Sequence, residues 1–203
     1  MKLNILPIII LALLSTASLA GGGKSEKLNY QDGTYIIDPA HTRASFSIAH
    51  FVISKVEGRF NEVTGTIKFD KDFTKSSFEA TIPVSSIDSA VEKRDNHLKS
   101  PDFFDAKKFP LMTFKSTEIS GDKHEFELTG DLTIKDVTKE VVFEGKYLGL
   151  VTDSWGNKRA AFKLKTKINR KDFDINYSDK FDLGPVVGHE VKIKIISEVT
   201  LKK

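Results

Sequence analysis

The chain has 203 residues, with 31 Lys+Arg, 28 Asp+Glu, 5 His and no Cys. The missing cysteine removes disulfides, thiolate zinc sites and cysteine nucleophiles, and a formal charge of +3 over so many ionised groups is too near balance for a nucleic-acid partner. The length suits one domain, at most two, and 15 Phe against 2 Met, 1 Trp and 4 Tyr ask for a reason.

Met1-Lys2, the apolar run from Leu3 to Leu14 and the small residues of Ser18-Leu19-Ala20 follow the order of a secretory signal peptide, with cleavage expected after Ala20. The run is shorter than the ~20 residues that span a bilayer, and no Cys follows it to carry a lipid anchor. Residues 21–29 read as a flexible leader with little to bury, which leaves 30–203 as one folded unit.

From Tyr35 onward the dominant period is two, as in half-buried strands. Thr42, Ala44, Phe46 and Ile48 alternate with polar residues, as do Val63 to Phe69 and Phe78 to Val84. The pattern returns in Phe126 to Ile134, then in Val141 to Tyr147 after a polar turn at Lys135-Asp136, in Ala160 to Ile168, and in Val191 to Leu201. One wet face per strand is the mark of an antiparallel sheet. A single segment departs from this period: Ser89 and Glu92 fit a capping box, and Ala90, Val91, Arg94 and Leu98 follow at helical spacing up to Pro101. About eight strands and one short helix, with no repeat or linker, predict one all-β barrel or sandwich. Closure into a barrel removes the sheet edges.

Phe46, Phe69, Phe78, Phe126, Phe143 and Phe162 share the apolar parity of their strands with Ala44, Gly65, Ala80, Gly130, Gly145 and Ala160. Two interiors satisfy that mixture: a filled core in which large and small residues interdigitate, or a ligand cavity with aromatic walls and gaps. Reaction motifs are missing, with no Gly-x-Ser-x-Gly, P-loop, Gly-x-Gly-x-x-Gly or His-Glu-x-x-His. His41 and His50 have opposite parity and meet at one ion only through a bulge, and His124 and His189 sit at turns, so no metal site is assigned. Arg94, Asp95, Asn96 and His97 form either a solvated helix face or a polar rim beside an apolar cavity. Lys163, Lys165, Lys167, Lys192 and Lys194 form solvated outer faces that discourage edge pairing, or a surface for anionic lipid head groups.

Several segments are similar to the YceI-like family. Tyr35-Ile-Ile-Asp38-Pro39-Ala-His41-Thr42 through Phe46 resembles its opening strand, and Arg94-Asp95-Asn96-His97-Leu98-Lys-Ser-Pro-Asp102-Phe103-Phe104-Asp105 resembles its most recognisable segment. Phe109-Pro110, Gly130 to Lys139, Asn169-Arg170-Lys-Asp172-Phe173 and Val187-Gly188-His-Glu190-Val191 follow in the family's order, so the resemblance runs from about Leu28 to Leu201. Thr42 stands where the family usually has Ser, and Asp174 where Gly is common.

The resemblance implies an extended, lipocalin-like, eight-stranded antiparallel barrel in the bacterial periplasm. It would bind or carry a long-chain isoprenoid (quinone- or polyprenol-like) or a related amphiphilic lipid as its ligand, without a cofactor and without enzymatic activity. The expected cavity residues are Phe46, Ile48, Ile67, Phe69, Phe78, Phe103, Phe104, Phe126, Leu128, Leu132, Phe143, Phe162 and Leu164, and the expected polar rim is Arg94, Asp95 and His97. The resemblance permits a homodimer, and transient contact with a membrane surface fits the ligand class. Two rival readings are a lipid isomerase or cyclase, with Asp38 and His41 as its titratable candidates, and a stress-related structural barrel that holds no ligand.

Overall fold

The computed structural model describes residues 29–177, 180–181 and 184–203; the expected signal sequence and nearly all of the leader lie outside the described residues. The strands are β1 Gly33–Ile37, β2 Arg43–His50, β3 Ser54–Phe60, β4 Thr64–Phe69, β5 Ser77–Pro83, β6 Leu111–Gly121, β7 Phe126–Ile134, β8 Val137–Thr152, β9 Lys158–Asn169 and β10 Val187–Leu201. The helix α1 is Glu92–Leu98. Antiparallel pairing runs in the order β1-β4-β5-β6-β7-β8-β9-β10, and β10 pairs back onto β1 through Tyr35 and Leu201. The protein is therefore a closed eight-stranded antiparallel barrel. β2 continues the line of β1 along β10, and β3 continues β4 by pairing with β2. Between β1 and β2 the chain makes a 3-10 turn at Pro39–His41, where Pro39 has no N–H to give to a ladder and the Asp38 carboxylate accepts from Ala40 N at 3.0 Å.

β3 and β6 are absent from the alternation read in the sequence, and each has a local cause. In β3 the inward position opposite Phe46 is Gly58, and a Cβ there would overlap the Phe46 ring; the glycine hides the apolar parity. In β6 a bulge between Ser116 and Glu118 moves the inward set from Met112 and Phe114 to Ile119, which breaks a period-two count. Gly145 repeats the first device. It faces Phe126 across the β7–β8 ladder, and a Cβ would lie only 2.7 Å from Phe126 Cδ2 while overlapping the ring tip. Gly58, Gly130 and Gly145 therefore seat rings across the sheet, a known way of covering strand glycines, whereas Ala44 and Ala80 face the barrel cavity.

The helix starts two residues later than its sequence predicts. Val91 is the N-cap and contributes no side-chain bond, because Ala90 takes a left-handed φ of 62° that a helix cannot include. The Ser89 hydroxyl is instead engaged from two sides: it donates to Asp95 Oδ1 at 2.5 Å and accepts from Arg94 Nε at 2.8 Å.

The two barrel ends are built differently. At the end formed by Gly33, Phe69, Phe126 and Leu201, an aromatic plug closes the interior. Tyr35 and Phe69 have ring centroids 4.9 Å apart, Tyr30 lies 5.4 Å from Phe69 and 5.7 Å from Tyr147, and Phe73 lies 5.0 Å from Phe126. Its phenols reach backbone acceptors, Tyr35 Oη on Gln31 O at 3.1 Å and Tyr147 Oη on Asn29 O at 3.0 Å, so Asn29 is tied to the barrel end. Burial raises the pKa of all three tyrosines. At the other end lie α1, the loop 99–110, the 3-10 turn Arg170–Phe173 and the β2–β3 connection. That connection has three residues, 51–53, and both Phe51 and Val52 are left-handed (φ 49° and 66°). Asn, Asp or Gly usually fill such positions; a β-branched valine there carries strain of roughly 1–3 kcal/mol.

Candidate functional site

The barrel encloses a cavity of about 140 Å³ with no polar atom exposed on its wall. Its lining includes Phe46, Ile67, Phe78, Leu128, Leu132, Phe143, Phe162 and Leu164, all residues that the sequence places on inward faces. Ala44, Phe114, Ile193 and Ile195 complete much of the wall. Two buried hydroxyls also reach it, and they satisfy one another: Thr42 Oγ1 and Ser197 Oγ are 2.9 Å apart.

The other expected cavity residues lie elsewhere. Phe69 and Phe126 belong to the aromatic plug, because their strands end there. Ile48 packs on β2 between Val191 and Val56, beyond the cavity toward the loop-covered end. Phe103 and Phe104 sit in that end's cover. Phe104 approaches Phe60 edge-on at 6.0 Å, and Phe103 packs at a tilt on Tyr177 at 4.8 Å and edge-on to the His97 ring at 5.0 Å.

The expected polar rim does not line the cavity either. Arg94 donates to Ser89 O at 2.7 Å, Asp95 accepts from Ser89 N at 2.9 Å, and His97 Nε2 lies 2.9 Å from Asp102 Oδ2. The three residues fasten α1 to its flanking loops. The segment Arg94 to Asp105 is thus the fixing of one barrel end.

A second polar cluster, which sequence separation concealed, lies outside the barrel wall. Asp38, His41 and Glu198 bring ligand atoms within 4.8 Å of one another. Arg159 already fills the role of cation there, with Nη1 at 2.7 Å from Asp38 Oδ2 and Nε at 2.9 Å from Asp153 Oδ2. Burial raises the Asp38 pKa, but hydrogen bonds from Arg159, His41 and Ala40 outweigh it and the net shift is downward. The Arg159 hydrogen bond, assisted by Asn157 and Trp155, pulls Asp153 down to about 2.

Arg170, noted in the sequence only as part of the Asn169-to-Phe173 segment, has a structural role that the pattern does not reveal. It is buried, and its described acceptors are backbone carbonyls: Nε on Gly188 O at 2.8 Å, Nη1 on Ile175 O at 2.5 Å and Nη2 on Val187 O at 3.3 Å. Burial lowers its pKa, yet a guanidinium stays charged. The turn at Arg170–Phe173 ends on Asp174 in the left-handed region (φ 54°), which explains why glycine is the natural residue there.

The YceI-like domain profile matches residues 35–199. The chain belongs to this family. Protein YceI of Escherichia coli O157:H7 is 40% identical over 164 residues, covering 80% of this chain and 83% of that protein. Protein YceI of Salmonella newport (strain SL254) is 36% identical over 206 residues and the full length of both. Among solved structures, Burkholderia cenocepacia BcnA superposes with a TM-score of 0.71 at 26% identity, covering 80% of this chain and 98% of that one. The Campylobacter jejuni YCEI protein gives 0.67 at 31% identity, over 76% and 90%. A polyisoprenoid binding domain from Saccharophagus degradans gives 0.64 at 10% identity, over 85% and 100%, a likeness of fold alone. The YceI-like barrel is thus the frame within which the cavity of this chain is to be understood.

Proposed function

We propose that this YceI-like barrel is a periplasmic binding protein that holds the tail of a long-chain isoprenoid, or a related amphiphilic lipid, inside its cavity. The observation that carries the reading is the cavity wall, on which side chains from most of the barrel strands meet without exposing a polar atom. Such a surface offers an apolar chain about 0.8 kcal/mol per CH₂ relative to water and offers a polar group nothing. The likeness to a polyisoprenoid binding domain and the signal-like segment through Ala20 support the ligand class and the compartment.

Binding fits the geometry better than catalysis. Among the described residues, Glu79 is the titratable residue that touches the cavity, and its carboxylate reaches Lys115 Nζ on the outer face at 3.6 Å. Asp38 and His41, the pair an isomerase or cyclase would use, lie outside the wall and bond to each other at 2.9 Å.

Native mass measurement of the protein purified without detergent tests the reading. The expected result is an additional mass of a few hundred daltons that organic solvent extracts. A clean mass of the polypeptide alone would overturn it in favour of a ligand-free structural barrel.

A further inference from the structure

The β2–β3 connection has a composition that its backbone does not favour. Two successive left-handed residues call for Asn-Gly, and the chain supplies Phe51-Val52 followed by Ile53. Val52 is 62% and Ile53 84% exposed, so this apolar tip is neither a good turn nor part of the core. Phe51 is anchored, with its N–H on Val186 O at 2.9 Å and its ring edge-on to His50 at 4.4 Å; the two residues after it project.

The wall behind the tip is cationic. Lys55 is exposed on β3 opposite Ala49. On the outer faces of β9 and β10, Lys167 stands directly opposite Lys192 and Lys165 directly opposite Lys194. Like charges in register destabilise a ladder, and the carboxylates beside this row are fewer than its lysines: Glu190 at Lys167, Glu144 at Lys165, and Glu57, exposed on β3 opposite Ser47. β10 pairs in turn with β2, where Ser47 and Ser45 face Lys192 and Lys194. The tip and the lysine wall therefore share one continuous side of the barrel, and the tip lies at the loop-covered end, away from the aromatic plug.

We propose that the 51–53 tip and this lysine wall form a docking face for an anionic lipid bilayer, with Val52 and Ile53 entering the boundary between head groups and acyl chains. Charge complementarity selects the bilayer. A two-residue apolar projection is far too small for a protein interface, which buries about 1,200 Å² or more, whereas an interfacial anchor needs only a few apolar side chains with cations beside them. The strain at Val52 is then maintained for contact with lipid. The proposal is independent of what the cavity holds.

Sedimentation of the purified protein with phosphatidylglycerol-containing phosphatidylcholine vesicles, compared with phosphatidylcholine alone, tests it. Binding should require the anionic lipid and weaken with salt. The double variant Val52→Gly/Ile53→Ser should lower partitioning about tenfold or more while its melting temperature holds or rises, since glycine relieves the left-handed strain. Lys192→Gln and Lys194→Gln should each cost up to about fivefold. Trp155, the one tryptophan, is exposed in the turn at the opposite end, and its emission should not shift on docking. Wild-type partitioning by the double variant, equal binding to uncharged vesicles, or a blue shift of Trp155 would each overturn the proposal. Loss of vesicle binding by a variant that keeps the additional mass of the bound lipid would separate docking from cargo binding.

Discussion

Truncating Arg170 to alanine removes a side chain that ties the Arg170–Phe173 turn to the start of β10. Of its bonds to described residues, the one to Val187 O at 3.3 Å is the weakest, and those to Gly188 O and Ile175 O, at 2.8 and 2.5 Å, are good charge-assisted bonds. At about 1.5–3 kcal/mol for each strong bond, and with buried carbonyls left to find new donors, the expected loss is about 3–5 kcal/mol. For a chain of this size that lowers the melting temperature by roughly 10 °C. Arg170→Lys keeps the charge but reaches fewer of the carbonyls, so it should fall between wild type and alanine. Urea denaturation followed by far-UV circular dichroism gives both values, and hydrogen exchange at Val187 and Gly188 shows whether the loss is local. A loss below about 1 kcal/mol for Arg170→Ala, or full stability in Arg170→Lys, would refute the reasoning; water would then satisfy the carbonyls as well as the guanidinium does.

Gly145→Ala should destabilise by about 1–3 kcal/mol through overpacking against Phe126, and Phe126→Leu in the same chain should recover part of it; additivity within 0.5 kcal/mol in that double-mutant cycle would mean the ring and the glycine are not coupled. Asp174→Gly should stabilise by about 0.5–1 kcal/mol, because glycine adopts φ 54° without the penalty an L-residue bears; the Lys135 Nζ bond to the backbone of residue 174 survives the change, and thermal melts check it. Asp38 and Asp153 both have depressed pKa values in the fold, Asp153 about 2. Their stabilising effect is therefore complete above the unfolded carboxylate value of about 3.9 and is lost as the pH falls through their lowered folded values, about 2 in the case of Asp153. Acid titration of the melting temperature should show that decline, and Arg159→Gln should flatten it; an identical acid limb in the variant would count against the cluster.

Period-two alternation was enough to place most of the barrel strands and their inward faces, because a strand that is half wet must alternate. It was silent where the interior itself bends the rule. Gly58 in β3 is inward yet has no side chain, since the Phe46 ring occupies its space, and the bulge after Ser116 in β6 exchanges the two faces mid-strand. Helix α1 was placed but started too early, because Ser89 carries the residue type of a cap while its hydroxyl is committed to Asp95 and Arg94. The cavity residues nearest the barrel's middle were legible, whereas Phe69 and Phe126 share their parity and yet fill the plug. Parity says which way a side chain points and nothing about its height along the barrel. Arg159 and Asp153 meet locally across the β8–β9 turn, but their union with Asp38 and Glu198 is beyond reach of the sequence, since it depends on β9–β10 pairing and on closure of β10 onto β1.

The two barrel ends also bear on how a long chain is accommodated. Cavity-creating substitutions cost about 24 cal/mol per Å³, so a volume of about 140 Å³ corresponds to roughly 3 kcal/mol, a tolerable fraction of a domain's 5–15 kcal/mol. A cavity of that order admits a benzene-sized group, or about one isoprene unit. Holding four times that volume open without contents would cost about 13 kcal/mol on the same slope, close to the whole stability of a domain. A wide preformed tunnel is therefore costly for such a barrel, and a long tail is expected to create part of its space as it enters. Burial itself does not divide the barrel, since Tyr30 and Phe73 of the plug are partly buried like Phe46 and Leu132, and Met112 and Ile134 toward the other end are buried like Tyr35 and Phe69. The ends differ in what covers them: interlocked rings close one, while α1, the 99–110 loop and the strained tip at 51–53 cover the other. The expected route of entry is therefore the second end, where a helix and loops can shift without unpairing the ladders of the barrel.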